Sequence, residues 1–275
     1  MKDHHIRAIL IEETEGAPHR MLDTDDIVKF LASTWNSLPA GQAQNSEEHK
    51  AAIRKAFASA TAGQLAGAVH GSHVRYAPFD TPLDMVMEWM ANGESHRVLV
   101  EDAQPEGELL DIITPNTMFS YLFTHQDEYG FAKIMARPLS EVHVALEKGV
   151  TTVGENDIAI SALARMAECR MHNVGIVNNQ GVLTGNLSSQ DVKVLCEHNM
   201  DILFESVLDV SSACRQMSTK DMYPTITCTL STTVKVVADR LMKAHVHRIY
   251  VVDDKKKPIG IYGQRDILKL FLAEV

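Results

Sequence analysis

The chain has 275 residues, of which 45% are hydrophobic and 23% charged, and it carries a formal net charge of −10. That length admits one large domain or two of ordinary size. The negative balance disfavours broad nucleic-acid binding, which needs surplus Lys and Arg, but it leaves room for a small anion held by a local basic cluster. No apolar run approaches the roughly 18 residues of a membrane span, and the opening "MKDHHIRAIL" enters strand-like sequence with no leader pattern. The four cysteines form no C-x-x-C pair, so the expectation is reduced thiols in the cytoplasm or nucleus, without a zinc site.

The first predicted elements lie in "HHIRAILIEETEGAPHRMLDTDDIVKFL". Arg7 stands at the foot of a strand and Asp26 near the start of a helix. Leu38 to His49 is polar and reads as a loop, and the Ala-rich Lys50 to Leu65 reads as helix. "RYAPFDTPLDM" leads into a helix whose methionines, in "MVMEWM", read as core filler. "ESHRVLVEDAQPEGELLDIITPNTMFSYLF" then gives strand, strand and helix, with His96-Arg97 at the foot and Thr117 in the helix. Gln126 to Gly149 is a connection in which Pro138 is expected to open a short helix.

The same pattern recurs in "CRMHNVGIVNNQGVLTGNLSSQDVKVL", with His172 at the foot and Asp191 in the helix. Cys196 to Met217 is mostly helical in pattern. The last unit opens on the extended "YPTITCTL" and the helix "TTVKVVADRLMKA", which spaces Val234, Val237, Leu241 and Met242 helically. A strand over Arg248–Val252 follows. A charged turn leads to a second strand over Pro258–Tyr262 and then to a helix with Ile267, Leu268 and Phe271 on one face. His247-Arg248 stands at the foot and Asp266 in the helix.

These are repeats. The foot positions 97, 173 and 248 are separated by 76 and 75 residues, and the helix positions 117, 191 and 266 by 74 and 75. Each full unit reads β-α-β-β-α, which favours a layered α/β fold. The first unit is N-terminally incomplete, with its leading strand and helix missing or supplied otherwise.

The unit, with G-[VI]-x-[ST]-x-x-D entering its last helix, resembles the cystathionine-β-synthase (CBS) domain. The clearest copy is "HRIYVVDDKKKPIGIYGQRDIL", followed by "GVLTGNLSSQDVKVL". CBS domains pair into Bateman modules. Four in one chain resemble the γ regulatory subunits of AMP-activated protein kinase, in which units one, three and four carry the helix aspartate and unit two lacks it. Asp26, Asp191, Asp266 and Thr117 reproduce that asymmetry.

The resemblance implies a fold of tandem CBS domains in two modules. The first, 1–125, comprises a partial repeat 1–35, a linker 36–74 and a repeat 75–125. The second, 126–275, comprises repeats 145–198 and 222–275. It implies a regulatory subunit of a heterotrimeric Ser/Thr kinase that binds AMP, ADP or ATP without catalysis. The partners would be an α-type catalytic and a β-type scaffolding subunit, with no required cofactor, no nucleic acid and no membrane. No P-loop, activated nucleophile or catalytic carboxylate pair speaks for an enzyme. The alternatives are a stand-alone CBS adaptor with an adenosyl ligand and a ligand-free scaffold.

The residue chemistry is consistent with a nucleotide. An ionised Asp26, Asp191 or Asp266 can accept both hydroxyls of a ribose. Arg7, His96, Arg97, His247 and Arg248 would meet phosphates, for which Arg offers a fork of donors. Ser188, Ile259 and Ile261 would supply accessory contacts, with Val251 and Val252 also lining an adenine slot. The plainer reading of Asp191 is a helix-dipole partner with Ser188 as the cap. His172 reads as packing or exposed. Four departures weaken the pattern: Gly263 where Ser or Thr is wanted, Asp23 near the expected phosphate, "TPNT" without a basic residue, and Asp157 in "VGENDIA".

Overall fold

The computed structural model describes residues 8–11, 20–39, 46–66, 74–102, 109–142, 150–198, 200–217 and 225–273. Arg7 lies outside them. The first repeat contributes a hairpin of β1 (Ala8–Ile11) and β2 (Arg20–Asp23) and the helix α1 (Thr24–Asn36). Two helices follow, α2 (Glu47–Ser59) and α3 (Ala62–Ala66). The second repeat is β3 (Arg75–Pro78), α4 (Leu83–Asn92), β4 (Val98–Glu101), β5 (Leu109–Ile113) and α5 (Pro115–Thr124). The short α6 (Ala132–Met135) comes next. The third is β6 (Thr152–Gly154), α7 (Ala159–Glu168), β7 (Asn173–Val177), β8 (Leu183–Ser188) and α8 (Asp191–His198). A 3-10 turn at Met200–Phe204 and α9 (Val207–Met217) lead to the fourth: β9 (Thr227–Cys228), α10 (Val234–Lys243), β10 (Arg248–Val252), β11 (Pro258–Gly263) and α11 (Gln264–Leu272).

The full repeats share one topology. The strand after the first helix is central, parallel to the strand before that helix and antiparallel to the strand after it. A central strand is covered on both faces and so reads as a continuous apolar run. Ile249, Tyr250 and Val251 are accordingly all buried. Each antiparallel pair shifts register at the same place, between Val100 and Glu101, Ile176 and Val177, and Val251 and Val252. Such a bulge bends the outer strand.

The chain packs as two compact units, and they do not follow the halves 1–125 and 126–275. One joins Met1–Ser72 to Val150–Thr225, the other His73–Gly149 to Ile226–Val275. The cause is helix packing. In the first unit α1 lies on α7, and Ile27, Val28 and Leu31 share a core with Ile160, Leu163 and Met166. In the second α11 lies on α4 and α5, and Phe119 and Met90 share a core with Phe271, Ile267 and Tyr262. Burying each large apolar side chain contributes about 1.5–3 kcal/mol.

Local expectations meet three adjustments. Pro138 opens no helix: α6 ends before it, and Pro138 bridges to Thr233. The Ala-rich linker is broken at Ala60 into α2 and α3. In the first repeat Leu65 and Ala66 of α3 pack against Leu22 of β2.

Candidate functional site

The predicted cations other than Arg7 lie where a strand begins and the predicted aspartates where a helix begins, whereas Ser188 ends β8 and Ile259 and Ile261 lie within β11. At four helix starts a side chain turns back onto the backbone. Asp26 Oδ2 accepts from Asp23 N at 2.8 Å, Asp266 Oδ2 from Gly263 N at 2.8 Å, and Thr117 Oγ1 from Thr114 N at 2.8 Å. Asp191 Oδ2 accepts both from Ser188 N at 2.7 Å and from Ser188 Oγ at 2.8 Å. The capping arrangement is therefore present in all four repeats, and in the third Ser188 is committed to it. Each carboxylate spends Oδ2 on its own helix and keeps Oδ1 as its remaining acceptor.

Their environments differ. Asp26 is 2% exposed, and burial pushes its carboxyl up to about 7, with the charges of Asp23 and Asp25 adding to the rise. Asp191 and Asp266 are half-buried and also raised, above all by desolvation. Cations oppose that rise: Arg215 at Asp191, and Arg248, Lys269 and Arg265 at Asp266. The charge of Arg248 thus acts on Asp266. Arg215, on α9, is an addition that no repeat signal marks. It donates to Ser211 and Ser212, which hold it on its own helix.

Among the other predicted cations, His96 is exposed and Arg97 half-buried at the foot of β4. His247 places Nδ1 at 3.1 Å from Gln264 Oε1. His172 is neither simple packing nor exposed: its Nδ1 lies 2.6 Å from Asp25 Oδ2 of the first repeat. Val251 and Val252 are buried in the core, whereas Ile259 and Ile261 are half-buried and can still line a surface.

The departures acquire physical causes. A Cβ at Gly263 would stand 2.7 Å from the carbonyl oxygen of His247, so Ser or Thr does not fit without movement. Asp23 turns its carboxylate to the helix, with Oδ1 accepting from the backbone of Asp25 and Asp26. Asp157 closes the turn before α7 by accepting from Gly154 N at 2.8 Å, as Thr232 accepts from Thr229 N at 3.0 Å in the fourth repeat.

Two glutamines were not singled out by sequence. Gln190 donates to Thr24 Oγ1, and Gln264 donates to Asn116 Oδ1, each at 2.8 Å. Both join helix starts of different repeats within one unit. A polar residue one or two places before the helix aspartate is their sequence trace, and it does not reveal a distant partner.

Comparison with known proteins accords with this fold. Residues 213–273 match the CBS domain family. Over 179 residues the chain is 25% identical to the 5'-AMP-activated protein kinase subunit gamma of Saccharomyces cerevisiae, covering 65% of this chain and 51% of that protein. Over 192 residues it is 24% identical to the protein SDS23 of Candida albicans, covering 67% of this chain and 30% of that protein. It thus spans about half or less of the length of these relatives. A crystal structure of a Methanocaldococcus jannaschii protein, described as a candidate archaeal homologue of g-AMPK, superposes with a TM-score of 0.68 at 14% identity, covering 98% of this chain and 89% of that one. The repeated β-α-β-β-α fold and these matches make the chain similar to CBS-domain proteins, the γ subunits of AMP-activated protein kinase among them.

Proposed function

We infer that the protein is a regulatory, non-catalytic subunit that binds AMP, ADP or ATP at its CBS repeats, as a γ-type subunit beside kinase α-type and β-type chains. The observation that carries this is Asp266. It is a half-buried carboxylate with one oxygen left after capping, at the head of a helix and acted on by Arg248 from the strand foot. A nucleotide needs that pairing of ribose acceptor and phosphate cation. Asp191 with Arg215 offers the same pair in the other unit. Asp26 is closed over, and Thr117 carries no charge. Nucleotide should therefore bind at Asp191 and Asp266 before the other two positions. Ligand exchange regulates a partner only as far as its affinities for the partner's states differ.

The test is calorimetric titration with AMP. Asp266→Asn keeps a carbonyl oxygen for the cap and loses the charge. It should weaken AMP binding by about 1.5–3 kcal/mol, the usual worth of a charged hydrogen-bonding group. Unchanged affinity in both Asp191→Asn and Asp266→Asn returns these residues to capping alone.

A second reading is an adaptor outside the kinase, since the chain is about as similar to SDS23, whose name specifies no kinase, as to the yeast γ subunit. Affinity purification from native cells separates the two: co-purification of a kinase catalytic chain supports the first, and its absence with nucleotide still bound supports the second.

A further inference from the structure

In two repeats the turn before the first helix is closed by a segment from elsewhere in the chain. In the third repeat Val207 N donates to Asp157 O at 2.7 Å, Leu208 N to Glu155 O at 3.3 Å, and Ala159 N to Glu205 O at 3.0 Å. In the fourth, Leu139 N donates to Thr232 O, Ser140 N to Leu230 O, and Val234 N to Arg137 O, each at 2.9 Å. The closing segments, "ESV" and "RPL", share one pattern: a charged residue, then Ser or Pro, then an aliphatic residue. Val207 and Leu139 are buried, and so are Ala159 and Val234 at the helix starts they meet.

The second repeat makes the same turn: Thr81 N donates to Pro78 O, as Asp157 N does to Gly154 O and Thr232 N to Thr229 O. Phe79, Thr81 and Leu83 thus match Glu155, Asp157 and Ala159. Among the described residues, however, Phe79 O, Thr81 O and Leu83 N meet no hydrogen-bond partner. Pro82, at the head of α4, offers no side-chain cap. The side chains here are also uncovered: Phe79 is 74% exposed, Leu83 38% and Met85 44%. We propose that this turn, residues 79–83, docks an extended segment of a partner chain that carries a basic residue, then Pro or Ser, then Leu or Val. The backbone groups would supply the same three bonds that close the other two turns, as when a strand adds to a sheet edge. Charge selects the basic residue. Its carbonyl would meet Leu83 N, at a helix start where Asp80 and Asp84 are both exposed. The first turns of α7 and α10 carry no acid, so Glu205 is as acceptable there as Arg137. Nothing in this docking depends on a nucleotide.

Two NMR measurements on the full chain test this. The first is amide hydrogen exchange without ligand. The three matched amides all open a helix, but Ala159 and Val234 are bonded and Leu83 is not, so Leu83 should exchange faster by a factor on the order of ten or more. A Leu83 amide as protected as the other two means that the chain covers its own turn, and it overturns the proposal. Protection that appears only as protein concentration rises assigns the turn to a second copy and also overturns it. The second measurement titrates a synthetic peptide of residues 135–142, "MARPLSEV", which contains the segment that closes the fourth repeat. Signals of residues 79–85 should shift saturably, and the same peptide with Glu in place of Arg137 should bind several-fold more weakly. Leu83→Pro removes the donor at a position where helices tolerate proline, and Pro82, with ψ 138, already has the backbone that a following proline requires. That variant should bind the peptide several-fold more weakly, and so should Phe79→Ser, whose exposed side chain the fold does not need. No saturable shift at these residues overturns the proposal, as does equal binding of the two peptides or undiminished binding by a folded variant.

Discussion

Gln190 of the third repeat donates to the hydroxyl of Thr24 in the first, at 2.8 Å, and so ties the heads of α8 and α1 together. The two residues are 166 apart in sequence. Close by, His172 meets Asp25 at 2.6 Å. Both contacts lie between repeats that the sequence assigns to different halves.

The His172–Asp25 pair should be worth measuring by a double-mutant cycle. Both side chains are about one-third exposed or less, at 32% and 26%. The expected coupling in denaturant unfolding is about 0.5–1.5 kcal/mol, above an ordinary surface pair. A coupling of zero would mean that this pair adds nothing to the packing of α1 on α7.

Asp26 should make stability depend on pH. Its folded carboxyl titrates near 7, above the ordinary 3.8, chiefly because it is buried. The folded state therefore holds the proton more tightly between those values. The stabilisation is full below about pH 4 and is lost as pH rises through about 7. Asp26→Asn keeps an acceptor for Asp23 N and removes the titration. It should be more stable than the parent at pH 8 by a figure on the order of 2–4 kcal/mol and nearly equal at pH 4. Parallel stability curves from pH 4 to 8 would contradict this.

His49 and Tyr262 are buried polar side chains without a hydrogen bond. Both ring nitrogens of His49 lack a partner, and so does the Tyr262 hydroxyl. His49 packs edge-on against Trp35, with ring centroids 5.8 Å apart. An unmet buried donor or acceptor costs about 1–3 kcal/mol. Tyr262→Phe, and His49→Phe where the extra volume fits, should raise the denaturation midpoint. Each gain should be about 1 kcal/mol. A loss of stability in Tyr262→Phe would show that the hydroxyl is satisfied in solution.

Gly93 should not tolerate a side chain. It ends α4 with φ +81, and a Cβ there would run into the Arg265 guanidinium from the fourth repeat. A left-handed position favours glycine, and the guanidinium complements the C-terminal end of the α4 dipole. Gly93→Ala should cost about 1–3 kcal/mol. Adding Arg265→Ala should return the part due to the clash and leave the backbone part. Equal destabilisation with and without Arg265 would assign the whole effect to φ.

Much of this protein was determined locally and so could be read from sequence. The strand over Arg248–Val252 is observed as expected, because a central strand must be apolar throughout. Ile267, Leu268 and Phe271 all point into one core, because helical spacing puts them on one face. The helix-start aspartates are legible too, since a cap is an interaction over three residues.

Tertiary structure decided the rest. That α1 lies on α7, and α11 on α4, depends on which apolar stripes fit each other, and every repeat carries such a stripe. The closure of Asp26 against the relative openness of Asp191 and Asp266 depends on what covers each helix head. Gly263 looked like a lost hydroxyl until the carbonyl of His247 stood in the way. Nothing in the sequence marked Gln190 or Gln264, whose partners are Thr24 and Asn116. Sequence sets what a side chain can offer, but its partner comes from a chain segment more than a hundred residues away, and only packing brings the two within hydrogen-bond reach.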